Sequence, residues 1–271
     1  MVEINPEITT DIIVKFIYDS IHKNGFENGI IGVSGGIDSA LVLALTVKAL
    51  GSDNTFALLM PYKTSSPESL SDGKLICEKL GVKYEIIDIS PSVDPYFKNF
   101  PTDNKTLIGN KCARERMSVL YDFSERKKAL VIGTSNKTEM LIGYSTLYGD
   151  SAAAFLPIGD LYKTEVIRLS EHLDIPESIL KKKPSADLWQ GQTDEGEIGF
   201  TYKLLDNILY HLIDLRFSDS EMMDAGFNTD DISRIKKMIN GSQFKRTMPP
   251  VTKIHNRTIG LDFRYPRDWN R

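Results

Sequence analysis

The sequence predicts an α/β fold: a doubly wound parallel sheet of about five strands flanked by helices, with a helical C-terminal part. Three observations predict it. Short apolar runs alternate with helix-period segments through the first half of the chain. The segments between runs are long enough for crossover helices, which are right-handed and make neighbouring strands parallel. The runs at residues 29–33 and 129–133 are apolar throughout, as central strands covered on both faces are.

Each element has a local reason. Ile8, Ile12, Ile13, Phe16, Ile17 and Ile21 recur at helical spacing and predict a helix over residues 6–23. The run at 29–33 closes on Ser-Gly-Gly and reads as a buried strand. Residues 39–50 form a strongly apolar helix ended by Gly51, and residues 55–60 a strand stopped by Pro61. A helix over 67–80 ends at Gly81, and a third strand follows at 83–89. A long helix of mixed charge spans 107–126, then a fourth strand at 129–133, then a short helix through Met140. Beyond it the pattern changes. Residues 163–172, 201–215 and 230–239 read as amphipathic helices, the last capped by Asn228 or Thr229. Residues 184–199, polar and rich in Gly, Asp and Glu, read as a loop. No repeat or linker divides residues 1–271, so one domain is expected: an α/β core over about 8–180, a helical part over about 181–250 and a basic tail at 251–271.

Composition excludes whole classes. The chain has 271 residues, and 33 Lys and Arg against 37 Asp and Glu leave a net charge of −4. With 41% hydrophobic and 26% charged residues it is neither disordered, nor collagen-like, nor a membrane bundle. Net acidity argues against nucleic acid as a partner. The N-terminus lacks a basic stretch followed by an apolar run, so no signal peptide is visible, no membrane partner is expected and the cytoplasm is the expected location. Cys77 and Cys112 are too few for a disulfide framework or a four-cysteine zinc site and read as reduced thiols. The triple lysine at 181–183 reads as a solvated helix end. Residues 245–271 hold seven Lys and Arg; they read as a solvated tail, with a lid or anchor for a polyanion as the alternative.

The chemistry gathers at two loops. Gly32-Val33-Ser34-Gly35-Gly36-Ile37-Asp38-Ser39 lies between a buried strand and an apolar helix. Its glycines let backbone approach an anion, and the helix that follows aims free N–H groups and its positive dipole end at that spot. Ser34 and Ser39 add hydroxyls. This is a phosphate or pyrophosphate site, but Gly-x4-Gly-Lys-Ser/Thr is absent, so it is not a Walker A loop. Asp38 would repel phosphate unless a cation lies between them, and Mg²⁺ is the natural one. The second loop is Gly133-Thr134-Ser135-Asn136-Lys137-Thr138-Glu139, which also reads as a capped helix start. It falls at the same sheet edge, so Asp38 and Glu139 can share one Mg²⁺. Tyr148-Gly149-Asp150, Lys163 and Lys182-Lys183-Pro184-Ser185-Ala186-Asp187-Leu188 follow, with lysines and hydroxyls suited to a triphosphate.

These strings, SGGIDS, GNKCARERM, GTSNKTE, YGD, the lysine of LYKTE, KPSADL and GQTDE, resemble the ammonia-dependent NAD synthetases of the N-type ATP pyrophosphatase superfamily, over about residues 8–250. The resemblance implies an adenine nucleotide alpha-hydrolase-like fold and a two-step amidation. The nicotinate carboxylate of deamido-NAD attacks the α-phosphorus of MgATP, and ammonia then displaces AMP to leave NAD. By position, Gly32, Val33, Ser34, Gly35, Gly36, Ile37, Asp38 and Ser39 would hold the ATP phosphates. Thr134, Lys163 and Ser185 would contact ATP, Asp38 and Glu139 would bind Mg²⁺, and Arg114 and Lys245 would contact deamido-NAD. Asp38, Asp150 and Lys163 are the candidate catalytic residues, with Asp150 positioning or deprotonating the nitrogen nucleophile. Three positions depart from the pattern: Leu147 stands where many bacterial members carry Lys, Ala154 where they carry Asp, and Phe244 where they carry His. The resemblance also implies a homodimer. The phosphate loop begins before residue 40, where no glutaminase domain is expected ahead of it, so free ammonia is the expected nitrogen donor unless a separate subunit supplies it. Two alternatives stand beside this: another N-type pyrophosphatase adenylating a different acceptor, and a nucleotide-binding regulator on the same fold. The loops at 61–70 and 190–199 are expected to close over substrates.

Overall fold

The computed structural model describes residues 4–185 and 193–262. The chain runs α1 (Pro6–His22), β1 (Asn28–Gly32), α2 (Ile37–Leu50), β2 (Thr55–Leu59), α3 (Pro67–Lys79), β3 (Lys83–Ile86), α4 (Ser90–Asn99), α5 (Lys105–Lys127) and β4 (Ala129–Val131). It continues through α6 (Lys137–Ile142), α7 (Lys163–His172), α8 (Glu177–Lys181), α9 (Asp194–Ile198), α10 (Tyr202–Leu209), a π turn (Tyr210–Asp214), α11 (Asp219–Asp224) and α12 (Thr229–Gly241).

The four strands are parallel in the order β3-β2-β1-β4. A fifth line of pairing lies beyond β4, where Ile132 makes a parallel bridge to Phe155. The order reverses at β1, whose neighbours β2 and β4 lead to opposite sides. The crevice beyond the carboxyl ends of β1 and β4 is therefore the topological switch point, where such sheets bind ligands.

Strand alternation distributes the core over two faces. Ile31, Ala57 and Leu59 face α1, α2 and α7, packing with Ile17, Leu41, Leu45 and Val166. Ile30, Leu58 and Val131 face α4 and α5, with Val93 and Cys112. Helix α2 is buried almost all round, because it is sandwiched between the sheet and an outer layer. That explains an apolar sequence with no polar stripe. A separate core of Ile142, Tyr202, Leu205, Ile208, Ile232 and Ile235 ties α6 to α10 and α12. Both cysteines are buried free thiols, and burial pushes the Cys77 thiol up to about 12.

Several expected boundaries move. Helix α2 starts two residues early, at Ile37, because Gly36 takes the N-cap. The third strand ends at Ile86 and is exposed, as an edge strand is. The expected helix at 201–215 breaks into α10 and the π turn. The expected loop at 184–199 contains α9, and its residues 186–192 lie outside the described residues. Helix α4 escaped the sequence pattern because it carries Pro95 internally and buries only Val93. Helices α8 and α11 are too short, at 5 and 6 residues, to show a period. No described helix is long and apolar enough to cross a membrane.

Candidate active site

The turn after β1 is shaped by its glycines. Gly35 sits at φ +75°, and a Cβ there would lie 2.1 Å from the Ser69 carbonyl oxygen of α3. Both the left-handed backbone and the close approach demand glycine. Two hydroxyls lock the loop. The Gly36 N–H donates to Ser34 Oγ (3.2 Å), the Ser34 N–H to Ser39 Oγ (3.2 Å), and Ser39 Oγ–H to the Gly36 carbonyl (3.0 Å). Gly36 offers the first turn of α2 no side-chain cap, so its N–H groups point into the crevice.

The loop after β4 supplies the facing wall. Asn136 caps α6, with its Oδ1 accepting the Glu139 N–H (3.0 Å), while its Nδ2 donates to Asp38 Oδ1 (2.9 Å). One wholly buried amide thus sets the helix carrying Glu139 against the helix carrying Asp38. Lys163, at the start of α7, enters the same corner. Its Nζ lies 2.5 Å from Asp38 Oδ2 and 3.3 Å from Glu139 Oε1, with the Tyr202 ring 5.2 Å away. The lysine is 2% exposed and the two carboxylates 18% and 17%. Burial alone would lower the lysine pKa, but Asp38 and Glu139 overcome it and hold the ammonium well above its usual value. Burial pushes the Glu139 carboxyl well above the ordinary range, with Lys163 opposing and Asp38 adding to the rise.

Among the described residues no three His, Cys, Asp or Glu form a protein-only metal cage. Asp38 and Glu139 nevertheless converge on one cation already, the lysine ammonium. Two hard oxygen donors beside a phosphate cradle fit Mg²⁺, which takes one or two carboxylates and completes its shell with phosphate and water.

These groups border a cavity of about 540 Å³. Of the residues given a catalytic, metal-, ATP- or dinucleotide-binding role from the sequence, all but Gly35 and Arg114 line it. Gly35 lies beneath the loop, against Ser69. Arg114 borders a neighbouring cavity of about 390 Å³ with Tyr96 and Phe100, and its Nε donates to the Leu147 carbonyl (3.3 Å). Asn110 borders both cavities. Arg116, two residues on, faces the main cavity instead, with its Nε on the Met60 carbonyl (2.9 Å). The Cys-Ala-Arg-Glu-Arg string contained both arginines, but only packing decides which faces inward.

At the far end, Asp150 Oδ1 accepts the Thr146 N–H (2.7 Å). The residue is reached by water, yet the protein around it raises its carboxyl pKa; backbone N–H donors, Lys245 and Arg116 pull it down. Lys245 Nζ donates to the carbonyls of Gly143 (2.7 Å) and Ser145 (2.6 Å). The departures lie close by: the Ala154 N–H donates to the Val131 carbonyl (2.9 Å), and Phe244 is 59% exposed.

Two expectations about lysines and the tail are corrected. Lys182 is not a solvated helix end. Its Nζ donates to Ser69 Oγ (3.0 Å) and Asp72 Oδ2 (3.3 Å), and both Lys182 and Lys183 line the cavity. Lys181, paired with Glu177, and Lys183 are both exposed, as expected. Arg246 is not a free tail residue either, because its guanidinium donates to the carbonyls of Met140 (3.0 Å), Leu141 (2.7 Å) and Ile239 (2.5 Å). Sequence reading also passed over Asp194 and Glu197, which line the cavity and take hydrogen bonds from Tyr144 at 3.1 and 2.5 Å. The signal for Asp194 was present in GQTDE, and Glu197 follows two residues beyond that string, in a stretch read as a loop. Ala186, Asp187, Leu188 and residues 263–271 lie outside the described residues.

Known proteins agree with this geometry. The family model for NAD synthase matches residues 9–249. The chain is 50% identical over 268 residues, 99% of its own length and 98% of the relative's, to the NH3-dependent NAD(+) synthetase of Trichlorobacter lovleyi. Its fold is similar to that of the NH3-dependent NAD synthetase of Campylobacter jejuni, at a TM-score of 0.80 and 35% identity, covering 93% of this chain and 100% of that one. It is likewise similar to an NMN synthetase of Francisella tularensis, at a TM-score of 0.82 and 32% identity over the same shares. A full-length match at half identity, on a fold that brings the family's motifs to one switch-point crevice, leaves one assignment: the chain belongs to the NAD synthase family.

Proposed function

We propose that the chain is a carbon–nitrogen ligase that amidates deamido-NAD with ammonia, driven by ATP, and yields NAD, AMP and pyrophosphate. One observation carries the reading beyond family membership: Asp38, Glu139 and Lys163 meet at the mouth of a phosphate-binding loop and helix N-terminus.

A carboxylate is a poor acyl donor because direct displacement would expel oxide. Adenylation replaces that leaving group with a phosphate monoester. A carboxylate oxygen of the nicotinate attacks the α-phosphorus, and the bond to the pyrophosphate oxygen breaks with its electron pair. The first-turn N–H groups of α2, with Lys163, Lys182 and Lys183, would hold the charge that develops on pyrophosphate. Asp38 and Glu139 would hold Mg²⁺, which when bound neutralises phosphate oxygens. Thr134 and Ser185 border the same space and would contact ATP. Ammonia nitrogen then attacks the acyl carbon, and AMP leaves with the electron pair of the broken C–O bond. Asp150, whose carboxyl is raised by its surroundings, would accept the proton lost by nitrogen. Arg114 and Lys245 would contact the dinucleotide. With this reading go a single catalytic domain, a cytoplasmic location and a homodimer; exposed Leu107 and Tyr121 on α5 support the last.

The test is to incubate the protein with deamido-NAD, MgATP and an ammonium salt and to follow NAD and AMP together. Equimolar NAD and AMP, lost in Asp38→Ala, is the expected result. AMP formed without NAD would move the acceptor elsewhere. Because the Francisella relative is an NMN synthetase, and Leu147 and Ala154 alter the dinucleotide side, the mononucleotide counterpart of deamido-NAD belongs in the same assay.

A further inference from the structure

We propose that Asp206 is a positioning residue for the ATP-activating corner: its buried carboxylate holds the first turns of α6 and α7 in register, and so sets Glu139 and Lys163 against each other. The proposal rests on the adenylating reading above.

Asp206 lies on α10 and is wholly buried, among Tyr202, Leu205, Ile208 and Leu209. Both of its oxygens are engaged. Oδ1 accepts from Thr138 Oγ1 (2.5 Å), and Oδ2 accepts from the Thr164 N–H (2.8 Å) and from Thr164 Oγ1 (2.8 Å). Thr138 Oγ1 in turn accepts the Lys163 N–H (2.9 Å). Thr138 immediately precedes Glu139, and Thr164 immediately follows Lys163. One carboxylate therefore grips the neighbours of both groups that meet at the corner.

Its chemistry suits that task better than simple packing. A buried carboxylate is costly unless its lone pairs are filled, and a leucine would join the surrounding apolar cluster without that cost. Among the described residues no ion pair to Asp206 is formed, and the cationic charge acting on it is that of Lys163. It is held by hydroxyls and by the Thr164 N–H in the first turn of α7, where negative charge also suits the helix dipole. Nor is α10 attached at this point alone. At the end of the π turn, Asp214 takes hydrogen bonds from Lys137 Nζ (2.7 Å) and Tyr162 OH (2.5 Å), the residues just ahead of Thr138 and Lys163. The apolar core of α6, α10 and α12 together with Asp214 fastens the element, which leaves Asp206 to fix register.

The test uses the full chain and separates positioning from stability. Wild type must first make NAD and AMP; if it does not, the functional reading fails and the inference with it. Asp206→Asn, nearly isosteric, is expected to melt as a folded protein and to lose tenfold or more in kcat, with KM for ammonium within twofold. A folded Asp206→Asn with kcat within twofold of wild type overturns the proposal, and so does a loss of kcat that only matches the loss of folded protein. Should Asp206→Asn fail to fold, Thr138 decides. Thr138→Val keeps the shape and removes the relaying hydroxyl, and should lose tenfold or more in kcat. Thr138→Ser keeps the hydroxyl and should regain most of that rate. Equal turnover of the Val and Ser variants would overturn the proposal.

Discussion

The two ends of the active-site cavity hold their charges in opposite ways. At the phosphate end two lysines are matched by carboxylates from distant segments. Lys163 meets Asp38 and Glu139, Lys182 meets Asp72, and Asn136 bridges to Asp38. At the nucleotide end the cations rest on backbone carbonyls: Lys245 on Gly143 and Ser145, Arg114 on Leu147, Arg116 on Met60. A carbonyl is a neutral partner and yields a cation readily to an anionic ligand. A carboxylate in a nearly dry corner does not. On the proposed function, the phosphate end is thus organised before substrate arrives, while the cations at the other end would transfer to the substrate.

The largest expected effect comes from emptying the organised end. Asp38→Ala should lower turnover by about 10³-fold, measured as NAD formed under saturating substrates, because the cradle loses both the proposed metal ligand and the partner of Lys163. Excess chelator should do the same to wild type and add little to the variant. Activity that survives both treatments would break the contrast between the ends.

Next in size is Asp150→Asn, expected to lower kcat by about 100-fold with the KM for ATP unchanged. The sign of its pH dependence follows from the protein surroundings that raise its carboxyl. A carboxyl with a raised pKa loses its basic form at a higher pH than an ordinary aspartate as the solution is acidified. The acid limb of wild-type kcat should therefore lie above the usual carboxylate range and vanish in Asp150→Asn. An unchanged limb in the variant would remove Asp150 from proton transfer.

Lys182→Ala sharpens the comparison at intermediate size. Loss of one charge-assisted hydrogen bond to phosphate, about 1.5 kcal/mol, should raise the KM for ATP about tenfold and leave that for the dinucleotide alone. Smallest is Lys245→Ala, expected to raise the dinucleotide KM about fivefold, the worth of one partly solvated ionic contact, with ATP unaffected. If Lys182→Ala raised the dinucleotide KM and Lys245→Ala that for ATP, the division of the cavity into two ends would be wrong.

Much of this was legible in one dimension. The glycine loop, the strand before it and the apolar helix after it could be read directly, because backbone freedom at Gly35 and the dipole of α2 are local properties. So could the Asn136 cap with Glu139 three residues on. The choice between Arg114 and Arg116 could not. They sit two positions apart on α5, nearly opposite each other around the helix, and a helix with so weak an apolar stripe does not announce which side faces a cavity. Lys182 was misread because a lysine run at a helix end is ordinarily wet; Asp72, 110 positions earlier, makes it otherwise.

Local chemistry along the chain therefore decided the secondary elements, the phosphate loop and the order of the motifs, since periodicity, capping and left-handed turns act over a few residues. Packing alone decided which charges meet. Asp38 and Lys163 lie 125 positions apart, and Thr138 and Asp206 68 apart. A pattern with a period of two or 3.6 residues carries no information over such distances. Only closure of the sheet at its switch point, with α6, α7 and α10 laid across it, brings those groups within hydrogen-bonding reach.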